Sequence, residues 1–287
     1  MTRAPLFRRL TLCAAAAAIL AGCADGTQTR YRDLTDAYAA IGFLRTDAAP
    51  PDAPFDNDDL IRNFERIAFY SEFARGDGPL EVRRTPTSLF KWEGPVTWKL
   101  EGDAATQADR RAYQALIARL ERLTDLDFAE TQDSANVLIL IASKDQRGEI
   151  VDLLDARGLS DRMQLIREWA RDDVYPCVAQ VGRVEREDGA PDYRAFIVIK
   201  EETQGLLRLS CIHEELVQAM GLRNDDDRVR PSIFNDDQEF ALLTEHDEYL
   251  LRILYDRRLR HDMTAEEGMP IVRRIVEEIG PGRDAGG

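Results

Sequence analysis

The sequence predicts one mixed α+β domain in which helices pack against a single sheet. Two observations carry that expectation. Hydrophobic periodicity runs strand, helix, strand, strand, helix along the middle of the chain, an order that suits helices packed on one sheet. The 287 residues are 44% hydrophobic and 32% charged, enough apolar material for a substantial core and too much for a disordered chain.

Residues 1–22 stand apart from the fold. Arg3, Arg8 and Arg9 form a basic start, residues 10–20 are an apolar run rich in alanine, and Leu20, Ala21 and Gly22 precede Cys23. The apolar run is shorter than the ~20 residues a bilayer span needs. The segment resembles a bacterial lipoprotein signal with its lipobox. That resemblance implies cleavage before Cys23, lipidation of Cys23 and a membrane anchor through the lipid. Ala24 in place of Asp implies the outer membrane, and we expect the chain to face the periplasm. Residues 23–55, with Pro50, Pro51 and Pro54 and little periodicity, are expected to be the lipidated tether.

The domain itself is expected over residues 56–260, with a C-terminal helix and tail over 261–287. Asn57 or Asp58 can cap a helix running to about Ala74 through Leu60, Ile61, Phe64, Ile67 and Ala68, ended by the turn at 76–79. Residues 96–101 alternate as a strand, and 106–123 form an amphipathic helix through Tyr113, Leu116, Ile117, Leu120 and Leu123. Residues 137–141 and 195–200 supply β-branched strands, the latter expected at a sheet edge. A helix over 205–220 stops at Gly221. Helices over 244–255 and 264–279 follow, the last opened by a Thr264 and Glu267 capping box.

Charge narrows the partners. With 38 Lys+Arg against 53 Asp+Glu, the net charge of −15 repels phosphate backbones and anionic lipid headgroups, so nucleic acid is excluded and neutral or basic partners fit. Three histidines, His213, His246 and His261, leave little for an imidazole metal site. In an oxidising envelope Cys177 and Cys211 are expected to form a disulfide, with two buried thiols as the alternative.

His213 and Glu214 begin the zinc-peptidase pattern H-E-x-x-H, but Val217 occupies the second ligand position. Sliding one residue places Glu214, Glu215, Gln218, Gly221 and Asn224 on the extended pattern H-E-x-x-H-x-x-G-x-x-H. Four-residue spacing sets Glu214 and Gln218 on one helix face, and Gly221 lets the chain double back toward Asn224. Farther on, Pro231, Ser232, Ile233, Phe234 and Asn235 look like a methionine turn with Phe234 at the methionine. Leu243, Thr244 and Asp247, followed by Leu250, Leu251, Leu254 and Tyr255, look like a matrixin C-terminal helix. On these residues the chain resembles a divergent, matrixin-like metzincin, in a family of envelope lipoproteins known mainly as a domain of unknown function.

The resemblance implies a zincin-like fold: a mixed sheet with an antiparallel edge against an active-site-type helix, with C-terminal helices. It makes Glu215 the general base of an active enzyme and Glu214, Gln218 and Asn224, joined by Asp225, the metal positions. All the histidine ligands are replaced, so no cofactor is assigned with certainty. A divalent metal remains open, and the oxygen donors suit Ca²⁺ or Mg²⁺ better than Zn²⁺. The plain alternative is a solvated helix face and acidic loop. The leading expectation is an envelope lipoprotein with a degenerate metallopeptidase-like domain that binds a peptide or protein partner by strand addition at 195–200. Its alternative is a metal-dependent hydrolase, and a passive structural lipoprotein comes third.

Among the remaining candidates, His213 is expected to be packed among apolar positions and His246 to serve its helix start. His261 is expected to be solvated in a linker, and Trp92 and Trp98 to be core. Ser210 and Ser232 have no base to activate them, and residues 76–78 lack the spacing of a phosphate loop.

Overall fold

The computed structural model describes residues 26–74, 81–185, 191–235 and 237–281. Cys23, the segment 1–22 and the turn at 76–78 lie outside them. Among the described residues, no helix is long and apolar enough to cross a membrane.

The centre is a five-stranded mixed sheet. Strands β3 (Val96–Glu101), β4 (Phe128–Glu130), β5 (Val137–Ala142), β6 (Cys177–Glu185) and β7 (Pro191–Lys200) stand in the order β4-β3-β5-β7-β6. All neighbours are parallel except β6, which closes the sheet as an antiparallel edge against β7. Strands β1 (Tyr70–Ala74) and β2 (Glu81–Pro86) form a separate antiparallel pair. The edge is therefore β6, and the expectation of an edge at 195–200 is corrected. In β7, Ala195, Ile197, Val198 and Ile199 are all buried, which is the pattern of a strand covered on both faces.

Alternation along the strands divides the core. Val96 and Trp98, Val137, Ile139 and Ile141, and Ala195, Ile197 and Ile199 face the larger cluster. That cluster holds α2 (Asn57–Ala68), α3 (Gln107–Thr124), α6 (Gly205–Ala219), α7 (Glu245–Leu254) and α8 (Ala265–Ile279). Ala142, Val178 and Val198 face the other side, where α4 (Lys144–Ala156) and α5 (Gln164–Arg171) pack through Ile150, Leu165, Ile166 and Trp169. Capping boxes start α2 at Asp56, α3 at Thr106, α7 at Thr244 and α8 at Thr264.

Two expected boundaries move. The helix expected to reach Ala74 ends at Ala68, because Phe69 caps it and the β-prone residues from Tyr70 pair with β2. The stretch expected to lack periodicity carries helix α1 (Gly26–Ala40). Tyr31 there is 1% exposed and donates to the Asp173 carbonyl, and Arg45 bridges to Phe240.

Candidate functional site

Helix α6 is fixed at both ends. At its start the buried Arg208 guanidinium donates to the Thr203 hydroxyl, to the carbonyls of Lys200, Glu201 and Thr203, and to Asp109 of α3. One turn on, the disulfide Cys177–Cys211 joins α6 to β6 with the α-carbons 5.8 Å apart, as the cysteine count implied. Past the C-terminus Gly221 adopts φ +122°, and a β-carbon there would collide with the Phe90 carbonyl. Glycine is thus required where the chain doubles back.

A cleft of about 400 Å³ opens between β6 and the β1 strand, with α6 and the start of α5 contributing walls. Ala179, Val181 and Arg183 border it from β6, Ser71 and Phe73 from β1, and Gln218 from α6. The Ala195 N–H bonds Asn136 on the β5 side, so the paired positions Val181 and Ala195 do not exchange hydrogen bonds. The N–H and carbonyl of Val181 accordingly face the cleft. Two neighbouring outward groups are engaged: Ala179 N–H bonds the Glu215 carboxylate, and the Arg183 carbonyl accepts from Arg162.

Glu215 is 4% exposed, and its Oε2 has no hydrogen-bond partner. Burial pushes its carboxyl well above the usual range, and Glu214, Asp225 and Glu72 push the same way against the Ala179 hydrogen bond. The carboxyl behind the edge strand therefore holds its proton more tightly than a solvated glutamate does.

The other predicted site residues are only partly gathered. Glu214 and Asp225 are near enough to Glu215 to act on it electrostatically, and the Gln218 amide donates to Asp225 at 3.3 Å. Asn224 is anchored elsewhere, its amide donating to the Arg66 and Asp225 carbonyls at 3.0 and 2.9 Å. Among the described residues, no group of three or more His, Cys, Asp or Glu side chains is placed to hold a metal ion. A zinc ion, which the resemblance implies, does not fit this set: the Gln218 and Asn224 amides point hydrogens at carboxylate and carbonyl oxygens, and no imidazole is available.

Behind the cleft, Phe234 is fully buried, and its carbonyl accepts from Asp226 N. The Ser232 hydroxyl donates to Asp247, so that serine is structural. Ser210 is buried on α6. The histidines divide. His213 Nδ1 accepts from Leu243 N at 3.1 Å, and His246 is buried with Nε2 3.0 Å from the Asn63 amide. His261 is not solvated as expected: its ring packs 4.7 Å from Tyr193 and 5.4 Å from Phe90, and its Nε2 lies 2.7 Å from the Tyr193 hydroxyl. Trp92 and Trp98 are core residues, Trp92 donating to the Ala219 carbonyl at the end of α6.

Sequence reasoning missed β6 and the β1 wall. The alternation from Cys177 to Glu185 was the available signal, blurred by Gly182 and by charged residues on what proves to be a cleft face. Comparison with curated proteins gives no match. A family model described as a protein of unknown function, DUF2927, matches residues 57–274, the span that holds the sheet, α6 and both cleft walls, and the chain belongs to that family.

Proposed function

We propose that this protein is a lipid-anchored envelope protein whose cleft holds an extended peptide or protein segment along β6 by strand addition. The outward N–H and carbonyl of Val181 in a cleft of about 400 Å³ carry this reading. The motif resemblance supports it, since α6 brings the degenerate metzincin positions to the same edge strand. The resemblance of residues 1–23 to a lipoprotein signal supports attachment through Cys23, with the domain in the periplasm at the outer membrane. Radiolabelled palmitate incorporated by the wild type and lost in Cys23→Ser would test the anchor.

The cleft is tested with N-acetylated, C-amidated Val/Thr-rich decapeptides and the full chain in detergent. Val181→Pro removes an N–H that points away from β7 and so spares the ladder. Binding should weaken at least tenfold with the melting curve nearly unchanged, and equal binding by wild type and variant would refute strand addition.

A second reading, a hydrolase, is favoured by the unpaired Oε2 of Glu215 beside the cleft. In it Glu215 exchanges protons with water or with the bound chain. Cleavage of the same peptides by the wild type, absent in Glu215→Gln while binding persists, would establish it. Stoichiometric metal in the purified protein, lost in Gln218→Ala, would restore the metal reading.

A further inference from the structure

A second pocket of about 170 Å³ adjoins the cleft, with Thr87, Ser88, Arg183, Tyr193, Arg223 and His261 around it. Val181, Arg183 and Arg223 border both spaces, so a segment paired with Val181 passes its mouth. The volume is well below the ~300–1,000 Å³ of pockets that take whole small molecules, and suits a side-chain group.

Its chemistry is that of a donor set. Arg183 is exposed, stands opposite Tyr193 in the β6–β7 register, and has no ion pair among the described residues. The Arg223 guanidinium is held in place by donating to the Thr87 hydroxyl at 3.2 Å and the Ser88 carbonyl at 2.9 Å. Tyr193 and His261 close the far side through their 2.7 Å contact. Among the described residues Asp262 is the sole carboxylate in the lining; it is 3.2 Å from His261 Nε2 and its side chain is 74% exposed, turned largely to solvent.

We propose that this pocket takes the carboxylate of an Asp or Glu side chain on the segment that β6 holds. The inference rests on the cleft reading above. Guanidinium groups pair with carboxylates in charge-assisted, often bidentate hydrogen bonds. The chain's net charge of −15 repels acidic partners as a whole, so the pocket selects one carboxylate on an otherwise neutral or basic segment.

The test scans a single Glu through the blocked Val/Thr decapeptide and compares each peptide with its Gln counterpart, using the full chain. At one position Glu should bind about tenfold tighter than Gln, and Arg183→Gln should bring that ratio close to one. Equal binding of every Glu and Gln pair overturns the carboxylate pocket and leaves the cleft reading standing. Failure of all peptides to bind removes both. An all-Gln peptide with a free C-terminus that gains as much as the Glu peptide assigns the pocket to a chain end and overturns the side-chain proposal. A phosphoserine peptide that exceeds the Glu peptide by a further tenfold assigns the pocket to phosphate and likewise overturns it.

Discussion

Two buried carboxylates lie on opposite sides of α6, and they are treated in opposite ways. Asp247, fully buried at the start of α7, accepts from the Ser232 hydroxyl, Ile233 N, Thr244 N and the Thr244 hydroxyl at 2.5 to 3.1 Å. Glu215, 4% exposed and behind Ala179 of the cleft wall, receives a backbone hydrogen bond from that residue and keeps Oε2 unpaired. A saturated carboxylate ties the 231–235 turn to α7, whereas an undersatisfied one is left buried behind the edge strand, bonded to Ala179 N–H. Buried polar groups are ordinarily paired, so the unpaired Glu215 oxygen is one of the places where the fold gives up stability.

The largest effect should come from the saturated acid. Asp247→Ala strands the Ser232 hydroxyl and two backbone N–H groups, while the Thr244 hydroxyl keeps the Pro231 carbonyl, and each stranded group costs about 1–3 kcal/mol, partly relieved by water or relaxation. A loss of about 3–5 kcal/mol is expected in urea denaturation. A loss under 1 kcal/mol would remove the contrast between the two carboxylates. Next comes the bridge that holds α6 to β6: Cys177→Ser with Cys211→Ser opens a cross-link spanning 34 positions and should cost about 3–4 kcal/mol. If the cleft depends on that joint, peptide binding should weaken as well.

His213 links the two sides, since it sits on α6 and accepts from Leu243 just before the Thr244 cap. Burial, helped by Arg119 and opposed by Asp247, lowers its pKa to about 4 from the ordinary 6.5. The folded state therefore keeps the ring neutral while the unfolded chain takes up a proton. Its contribution is intact above pH 6.5 and is lost as pH falls toward 4, by about 3 kcal/mol in all. His213→Gln should flatten that acid limb in urea midpoints between pH 4 and 7. Equal slopes for both proteins would place the acid sensitivity elsewhere.

What the sequence made legible follows the range of the forces involved. The helices opened by capping boxes and the α6 motif were readable because a helix closes its hydrogen bonds within four residues and Glu214, Glu215 and Gln218 share one short segment, whereas α4, capped by Ser143, was missed. The cysteine pair was readable from the count and from the compartment that the signal-like start led us to expect. Strand neighbours were not, because the same β-branched run from Ala195 to Ile199 serves equally well at an edge or between β5 and β6. Helix α5 was overlooked although Leu165, Ile166 and Trp169 fall on one face, as was α1, whose two buried residues, Thr27 and Tyr31, give little periodicity. The cleft shares that limit: Ser71, Ala179 and Gln218 meet only through tertiary folding, and nothing near Tyr193 in the sequence announces His261.

The smallest effect is the one that separates the two acids most cleanly. Folding raises the Glu215 pKa above its ordinary 4.5, so the folded state binds that proton more tightly than the unfolded chain. The stabilisation is complete below pH 4.5 and declines as pH rises toward the elevated folded value, at no more than about 1.4 kcal/mol per pH unit for one proton. Because Glu214 and Asp225 share the field, the decline spreads over the group and is not a single sharp step. Glu215→Gln keeps the shape and removes the titration. It should match the wild type within about 1 kcal/mol near pH 4.5 and become relatively more stable with each unit above, read from urea melts between pH 4.5 and 9. Parallel stability curves would mean that Glu215 is neutralised by a partner in the native state, as saturated as Asp247, and the hydrolase reading would lose the undersatisfied acid on which it draws.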